Sequence, residues 1–170
     1  MIRTAESDDL PAILALYPRA FAEEDLRPVV EALAKLPHGV LSLVAQADGG
    51  LAGHVMFTTC AAGQGGPAVG LLAPLCVAPE RQRQGIGGQL VREGFARLAA
   101  DGIAYVLVLG DPDYYGRFGF QQERRISTPY ELPPEWSPGW QGQSLIEGFI
   151  PPVSTLDVPA PWRQPSLWLP

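Results

Sequence analysis

The sequence has few of the residues from which disulfide frameworks and metal sites are built. It contains two cysteines and two histidines in 170 residues. Cys60 and Cys76 lie in strand-like segments, and no secretion signal precedes them, so we expect reduced, buried thiols rather than a disulfide. His38 and His54 are far apart in the chain and no zinc-ligand spacing is present, so we expect no metal.

Positive charge is also scarce. Twelve Lys and Arg against 18 Asp and Glu give a formal net charge of −6. A nucleic-acid partner would favour a basic face and is therefore not expected, whereas a cationic acceptor such as an amine is compatible with this balance. The N-terminus lacks the basic-then-apolar pattern of a signal peptide, and no apolar run approaches membrane-spanning length. We therefore expect a cytoplasmic protein without a membrane partner.

The composition predicts one globular domain over residues 1–170, since 46% of residues are hydrophobic and 18% charged. Its core is expected at 1–121, with a Pro- and Trp-rich extension at 122–170. Four tryptophans favour packing of that extension on the core over disorder. Periodicity and turn signals predict strands at 2–4, 40–47, 51–60, 69–77, 103–109 and, less regularly, 143–150. They also predict helices from an N-cap at Ser7 to about 22, at 29–36, after Gly88 to about 100, and a short one after the N-cap Asp111.

The most informative stretch is LLAPLCVAPERQRQGIGG, residues 71–88. A strand-like apolar run meets Pro79, turns into a polar segment with three glycines among four residues, and leads directly into a helical pattern. Glycines let backbone N–H groups approach a ligand closely, and a helix N-terminus adds unpaired donors and partial positive charge. This arrangement predicts an anion site, with phosphate as the usual occupant.

Spacing excludes two common phosphate motifs. A Walker loop needs Gly-Lys-Ser/Thr at its end, whereas the chain has Gly87-Gly88-Gln89. A dinucleotide fingerprint needs a third glycine where Leu90 stands.

The remaining pattern, Gln82-x-x-Gly85-x-Gly87 after a strand that ends in Val77-Ala78-Pro79, resembles motif A of the GNAT superfamily of acetyl-CoA-dependent N-acetyltransferases. Downstream, the run from Tyr115 to Gly-Phe at 119–120 resembles the Tyr-x-x-x-Gly-Phe that closes the core of that family. The resemblance covers residues 1–121, and the phrase GDPDYYGRFGF is similar to one bacterial subgroup of predicted acetyltransferases.

The resemblance implies an α/β fold with a central mixed, mostly antiparallel sheet, splayed at strands 4 and 5, with helices on both faces. It implies acetyl-CoA as cosubstrate and no metal. The backbone N–H groups of Leu75 and Val77, on either side of Cys76, would face the acyl carbonyl and the pantetheine arm. Arg81 and Arg83 could neutralise phosphate charge. The backbone amides that would hold the pyrophosphate belong to Gln82, Arg83, Gln84, Gly85, Ile86, Gly87 and Gly88.

Tyr115 matches the general acid of the family. A phenol with a pKa near 10 can protonate a departing thiolate only if it is close and in line. The alternative interpretation is an aromatic residue that packs against the cofactor and whose hydroxyl is bonded elsewhere. Tyr114 is the fallback, because a one-residue shift in register would exchange the two.

The sequence pattern identifies no residue as the general base. Some GNAT enzymes carry a carboxylate at the position of Leu71, and many carry a pantetheine-contacting Asn at the position of Val108. His54 follows a glycine in a strand and is expected to be a core or edge histidine rather than a base, and His38 sits in a turn. Water can relay the proton, or the amine can arrive neutral, so these departures leave the acceptor open.

Three consecutive acidic residues, Glu23, Glu24 and Asp25, have two interpretations. They could line an amine pocket, because the first two helices of the family border the acceptor site. They could equally form a solvated acidic loop.

The leading functional hypothesis is an N-acetyltransferase that moves an acetyl group from acetyl-CoA to a primary amine by direct attack in a ternary complex. The acceptor would be a small molecule or a peptide amine, and a homodimer is possible. The alternative is a non-catalytic acyl-CoA-binding or sensing module that uses the same anion site. A third possibility is a partner-binding scaffold whose active surface is the Trp-rich extension.

Overall fold

The computed structural model describes residues 1–169, and within them the chain forms nine β-strands and four α-helices. The strands are β1 (Ile2–Thr4), β2 (Val40–Ala47), β3 (Gly50–Ala62), β4 (Ala68–Val77), β5 (Tyr105–Leu109), β6 (Gln121–Gln122), β7 (Ile126–Ser127), β8 (Trp140–Ser144) and β9 (Ser154–Asp157). The α-helices are α1 (Leu10–Ala20), α2 (Arg27–Ala34), α3 (Ile86–Ala100) and α4 (Pro112–Tyr115). Short 3₁₀ helices cover Ser7–Asp9, Pro79–Arg81, Gly116–Phe118, Pro134–Gly139, Ala160–Trp162 and Pro165–Trp168.

The chain divides into two compact units. The first contains Met1–Thr58 and Ala73–Ala96, and the second contains Thr59–Leu72 and the residues from Arg97 onward. Strands β3 and β4 and helix α3 each contribute residues to both units. None of the helices formed by residues 1–169 has the length and apolarity that crossing a membrane requires.

The first unit is built on strands in the order β1-β2-β3-β4, of which β1, β2 and β3 pair antiparallel. Consecutive residues of β3 face opposite sides of this sheet. A Cβ atom on Gly53 would lie 3.1 Å from Leu90 of α3, whereas His54 is hydrogen-bonded to Tyr17 of α1. Helices therefore cover both faces of the sheet in this unit.

The start of the first helical segment differs from the prediction. The expectation of Ser7 as N-cap is wrong, because the capping residue is Glu6, whose backbone N–H donates to the Asp9 carboxylate at 2.7 Å. Arg3 donates to the same carboxylate at 2.7 and 2.9 Å, which fixes the entry into α1. The helix contains Pro18 and ends at Ala20, close to the predicted end.

In the second unit the strand order is β4-β5-β8-β6. Strands β4 and β5 run parallel, with Gly70 opposite Val106, and α3 connects them. Strand β8 pairs antiparallel with β5 and with β6, and β9 pairs antiparallel with the end of β3 and parallel with β7. The mixed, mostly antiparallel α/β fold predicted from the sequence is confirmed.

The segment after residue 122 is ordered by aromatic packing. Trp140, Trp162 and Trp168 are buried, and the Trp168 ring lies 5.9 Å from that of Trp140 and 6.0 Å from that of Trp162. Each of these two contacts is edge to face, the favourable geometry for aromatic pairs. The strand predicted at 143–150 is wrong beyond Ser144, because the Ser144 hydroxyl donates to the Ile146 carbonyl and the chain turns there.

Candidate functional site

A glycine-rich loop (residues 82–88) connects β4 to α3 in the first unit. Arg83 has a φ of 62° and Gly85 a φ of 83°, so two residues in three adopt the left-handed conformation. The helix begins at Ile86 rather than after Gly88, and the Gln89 N–H donates to the Gly85 carbonyl at 3.0 Å. The last two glycines of the loop therefore lie in the first helical turn, where N–H groups lack partners from the preceding turn.

The main chain of this loop presents a row of free donors. Within residues 1–169, no protein acceptor is found for the backbone N–H groups of residues 83–88. Successive N–H groups around left-handed residues form a concave anion site, and the N-terminus of α3 adds partial positive charge to it. The geometry can hold a phosphate or pyrophosphate without any side chain.

The charges around the loop favour an anion. Arg83 is exposed, and its guanidinium has no ion-pair partner in the described part of the chain. The carboxylate of Glu80 would oppose an anion, but Arg19 binds it through one guanidinium nitrogen at 2.5 and 2.6 Å. The Arg19 guanidinium holds the pKa of Glu80 below its ordinary value and offsets its charge.

The end of β4 leads into the loop without a break. Cys76 is buried, whereas Leu75 and Val77 are half-buried on the opposite side of the strand. Burial raises the pKa of the Cys76 thiol to about 12, so it is not a thiolate nucleophile at neutral pH. The side-chain amide of Gln82 donates to the Val77 carbonyl at 3.1 Å and links the loop to the strand.

Tyr115 ends α4 in the second unit, in a segment that we call the tyrosine segment (residues 110–119). Asp111 is the N-cap, as predicted, and its carboxylate accepts from the Asp113 N–H at 2.9 Å. The Tyr115 ring packs edge to face on Tyr114 at 5.0 Å and on Phe120 at 5.8 Å.

The Tyr115 hydroxyl remains available as a donor, since no hydrogen bond to it is found among residues 1–169. Burial raises the pKa of Tyr115 above its ordinary value, and the neighbouring Tyr114 and Asp111 raise it further. The phenol is therefore protonated throughout the physiological pH range. Tyr114, the fallback, is also half-buried, and its ring lies 4.7 Å below the Arg117 guanidinium.

His54 is a core residue, as expected. It is fully buried, the Tyr17 hydroxyl lies 2.7 Å from Nδ1, and the Ser42 hydroxyl lies 2.8 Å from Nε2. Burial lowers the pKa of His54 to about 3, so the imidazole is neutral at working pH. Both cysteines are free and buried, as predicted, and the apolar side chains of Leu71 and Val108 are buried too.

The acidic loop between α1 and α2 is solvent-facing. Glu23 and Glu24 are exposed, and Asp25 accepts from the Arg27 guanidinium at 2.8 and 3.1 Å. The amine pocket and the solvated loop both stay predictions.

Sequence reasoning missed two glutamines of β8 that hydrogen-bond to the tyrosine segment. Gln141 donates to the Gly110 carbonyl and Gln143 to the Phe118 carbonyl, each at 3.3 Å. Neither belongs to a motif, and an isolated glutamine in a short strand carries no signal of the loop that it will contact.

Comparison with known proteins identifies relatives of the whole core. A family model described as an acetyltransferase (GNAT) domain matches residues 1–122. The uncharacterized N-acetyltransferase YjhQ of Escherichia coli strain K12 is 40% identical over 110 residues, which are 62% of this chain and 61% of YjhQ. The uncharacterized N-acetyltransferase YhbS of the same strain is 36% identical over 138 residues, 80% of either chain.

Two solved structures resemble this one over nearly the whole chain. The crystal structure of the GNAT family N-acetyltransferase YhbS from Escherichia coli in complex with CoA has a TM-score of 0.83 at 30% identity, covering 96% of this chain and 92% of that one. A GNAT family acetyltransferase from Brucella melitensis in complex with acetyl-CoA has a TM-score of 0.77 at 31% identity, covering 95% and 96%.

Proposed function

Because this chain belongs to the GNAT acetyltransferase family and is an acyltransferase, we propose that it moves an acetyl group from acetyl-CoA to a primary amine. The transfer is direct, with both substrates bound in a ternary complex. The acceptor is a small molecule or a peptide amine. The net charge of −6 is compatible with a cationic acceptor.

The observation that carries this proposal is the row of free N–H groups at residues 83–88. A pyrophosphate fits such a row because it offers several acceptor oxygens and two negative charges. A Cβ atom built on Gly85 meets nothing within 4 Å, so no protein atom fills the space beside this residue. The Gln82 backbone N–H already donates to the Pro79 carbonyl at 3.4 Å. The pyrophosphate of CoA is therefore bound by the backbone amides of Arg83, Gln84, Gly85, Ile86, Gly87 and Gly88, and the free Arg83 guanidinium adds charge.

The strand before the loop binds the pantetheine arm through its backbone, from Leu75 through Cys76 to Val77. Hydrogen bonding to an extended main chain aligns an extended ligand in the manner of an added strand. A backbone N–H directed at the acyl carbonyl also stabilises the negative charge that develops there during attack. The fixed link from Gln82 to Val77 supports this by holding strand and loop in one register.

Tyr115 is the general acid. Acetyl-CoA supplies a thioester, and its cleavage by an amine requires a proton for the departing sulfur. The unpartnered Tyr115 hydroxyl is a suitable donor, since its raised pKa keeps it protonated until it is needed. A phenol bonded to another side chain would first have to break that bond.

No side chain is assigned as the general base. The buried Leu71 cannot titrate, and the neutral, fully buried His54 is bonded at both ring nitrogens. The amine therefore arrives neutral or loses its proton to water.

We also propose that residues 1–170 form a single N-acetyltransferase domain, with the extension packed on the core. Two observations support this: β3 and β4 run through both compact units, and β8 and β9 of the extension pair with β5 and β3. A cytoplasmic location belongs to the same proposal and is supported by the two free thiols.

The proposal is tested by mixing purified protein with acetyl-CoA and a panel of amines, including polyamines, amino sugars and peptides, and measuring released CoA thiol. Each amine is matched by its alcohol analogue. Release with at least one amine and not with its alcohol is expected. Release at the same rate without any acceptor, or none with any amine while CoA still binds, would contradict acetyl transfer to nitrogen.

A further inference from the structure

The tyrosine segment is held at both ends by side chains of one strand. That strand is β8, which lies beyond the residues 1–122 matched by the family model. It pairs with all five residues of β5, so its position beside that strand is fixed by main-chain bonds.

Gln141 holds the N-terminal end of the tyrosine segment. The residue is 1% exposed, and its amide Nε2 donates to the Gly110 carbonyl at 3.3 Å and to the Gly139 carbonyl at 3.2 Å. The Gly110 N–H donates to the same Gly139 carbonyl at 2.9 Å. Both polar backbone groups of Gly110 are therefore fixed by β8 and the residue that precedes it.

Gly110 in turn supports the Tyr115 ring. A Cβ atom at Gly110 would lie only 2.5 Å from Cε2 of Tyr115, so the ring packs directly on this glycine. A displacement of the Gly110 main chain is therefore transmitted to the phenol.

Gln143 holds the C-terminal end of the tyrosine segment. Its Nε2 donates to the Phe118 carbonyl at 3.3 Å, and a Cβ at Gly119 would lie 2.5 Å from the same nitrogen. Gly119 has a φ of 91°, so it can turn the chain against this side chain where another residue would be strained.

The two glutamines act together because of strand geometry. Residues two apart in a strand point to the same face, so Gln141 and Gln143 both project toward the tyrosine segment. Trp140 projects to the other face, where it packs on Trp168.

We infer that Gln141 and Gln143 are positioning residues for Tyr115 in the acetyl transfer. The inference rests on the proposed function of Tyr115 as general acid. Helix α4 has only four residues and cannot hold a side chain by its own stability, because a single turn of helix is unstable in water. The two amides supply that order, and a proton donor that is ordered in line loses less entropy in the transition state.

The test compares Gln141→Met and Gln143→Met with the wild type. Methionine has nearly the same shape and lacks the amide donor. We expect kcat to fall about tenfold and the KM for acetyl-CoA to stay within about twofold, since only transition-state positioning is lost. Amide hydrogen exchange in residues 110–119 should accelerate in both variants.

Gln164→Met is the matched control, because Gln164 is an exposed residue of the same extension whose side chain has no partner within residues 1–169. This variant should change neither kcat nor the amide hydrogen exchange of residues 110–119. If Gln141→Met fails to fold in a thermal melt, the half-buried Gln143 site carries the test alone.

The decisive comparison repeats each substitution in a Tyr115→Phe background. A residue that acts through the Tyr115 hydroxyl has nothing left to position, so the second substitution should cause no further loss of kcat. A further tenfold loss in that background would overturn the inference, as would unchanged kcat in the single variants. Full activity of Tyr115→Phe alone would instead overturn the role of Tyr115 as general acid. This single variant contains both glutamines, so its result does not depend on them.

Discussion

The glycine-rich loop and the tyrosine segment are built on opposite principles. In the loop, main-chain N–H groups would form the proposed site, and the side chains of Arg83 and Gln84 are exposed. In the tyrosine segment, a single side chain is the proposed functional group, and the main chain around it is held by neighbouring rings and by two glutamines of β8.

This difference decides how each region tolerates change. A main-chain site depends on φ and ψ, so it is sensitive to glycine replacement and indifferent to most side chains. A side-chain site depends on packing, so it is sensitive to residues that are remote in sequence.

The largest effect is expected for Tyr115→Phe, which removes only the hydroxyl. We expect kcat to fall about hundredfold, the usual contribution of a positioned acid, while the Kd of CoA stays unchanged. Thiol release measures the first quantity and calorimetric titration the second. A parallel loss of CoA affinity would show that the hydroxyl serves binding instead.

The next effect is expected in the loop. Gly85→Val forces a β-branched residue into a φ of 83°, and the strain displaces the N–H row. The Kd of CoA should rise about tenfold or more, as measured calorimetrically. Gly49→Val is the matched control, because Gly49 has a φ of 84° and equally open space around its Cβ position, but lies in the β2–β3 hairpin. An equal rise in the Kd of CoA in Gly85→Val and Gly49→Val would mean that backbone strain in general, and not a change in this loop, weakens binding.

A smaller effect is expected from the charge beside the loop. Arg19→Met leaves the Glu80 carboxylate uncompensated, and CoA should bind about two- to threefold more weakly at low salt, with the difference shrinking as salt is added. Arg27→Met breaks a comparable half-exposed pair with Asp25 and serves as control, since Arg27 and Arg19 have side-chain exposures of 53% and 49%. A salt-independent difference would point to lost packing.

The smallest effect is expected in the pH profile. The pKa of Tyr115 is raised, so its neutral, donating form persists above the ordinary tyrosine pKa of about 10 and is lost only as the pH rises through the raised value. The kcat at saturating amine should therefore not decline between about pH 8 and 10. A reversible decline within that interval, absent from Tyr115→Phe, would contradict the raised pKa.

The same contrast explains what could be predicted from the sequence. Strand β2 was predicted with its observed bounds, Val40–Ala47, because a strand beside an Asp-Gly-Gly turn is marked by local pattern. The N-cap Asp111 was predicted for the same reason, as Asp-Pro is a local helix-start signal. Helix α3 begins three residues earlier than predicted, because glycine is a poor helix former but is tolerated in a first turn.

The extension was beyond local pattern. Strands β6 and β7 have two residues each, too few to show any periodicity. Gln141 and Gln143 acquire their partners only when β8 pairs with β5, which is a contact across more than 30 positions of sequence. The spacing of glycines predicts a main-chain site, but no local sequence pattern indicates which side chains will hydrogen-bond to the segment around a tyrosine.

The most direct test of the account is an NMR titration that follows the backbone amides of residues 83–88 with CoA and with pantetheine, which lacks the pyrophosphate. We predict that these amide resonances shift on addition of CoA and stay in place with pantetheine. Unchanged resonances at residues 83–88 in a CoA-saturated sample would contradict the claim that main-chain N–H groups of this loop bind the pyrophosphate.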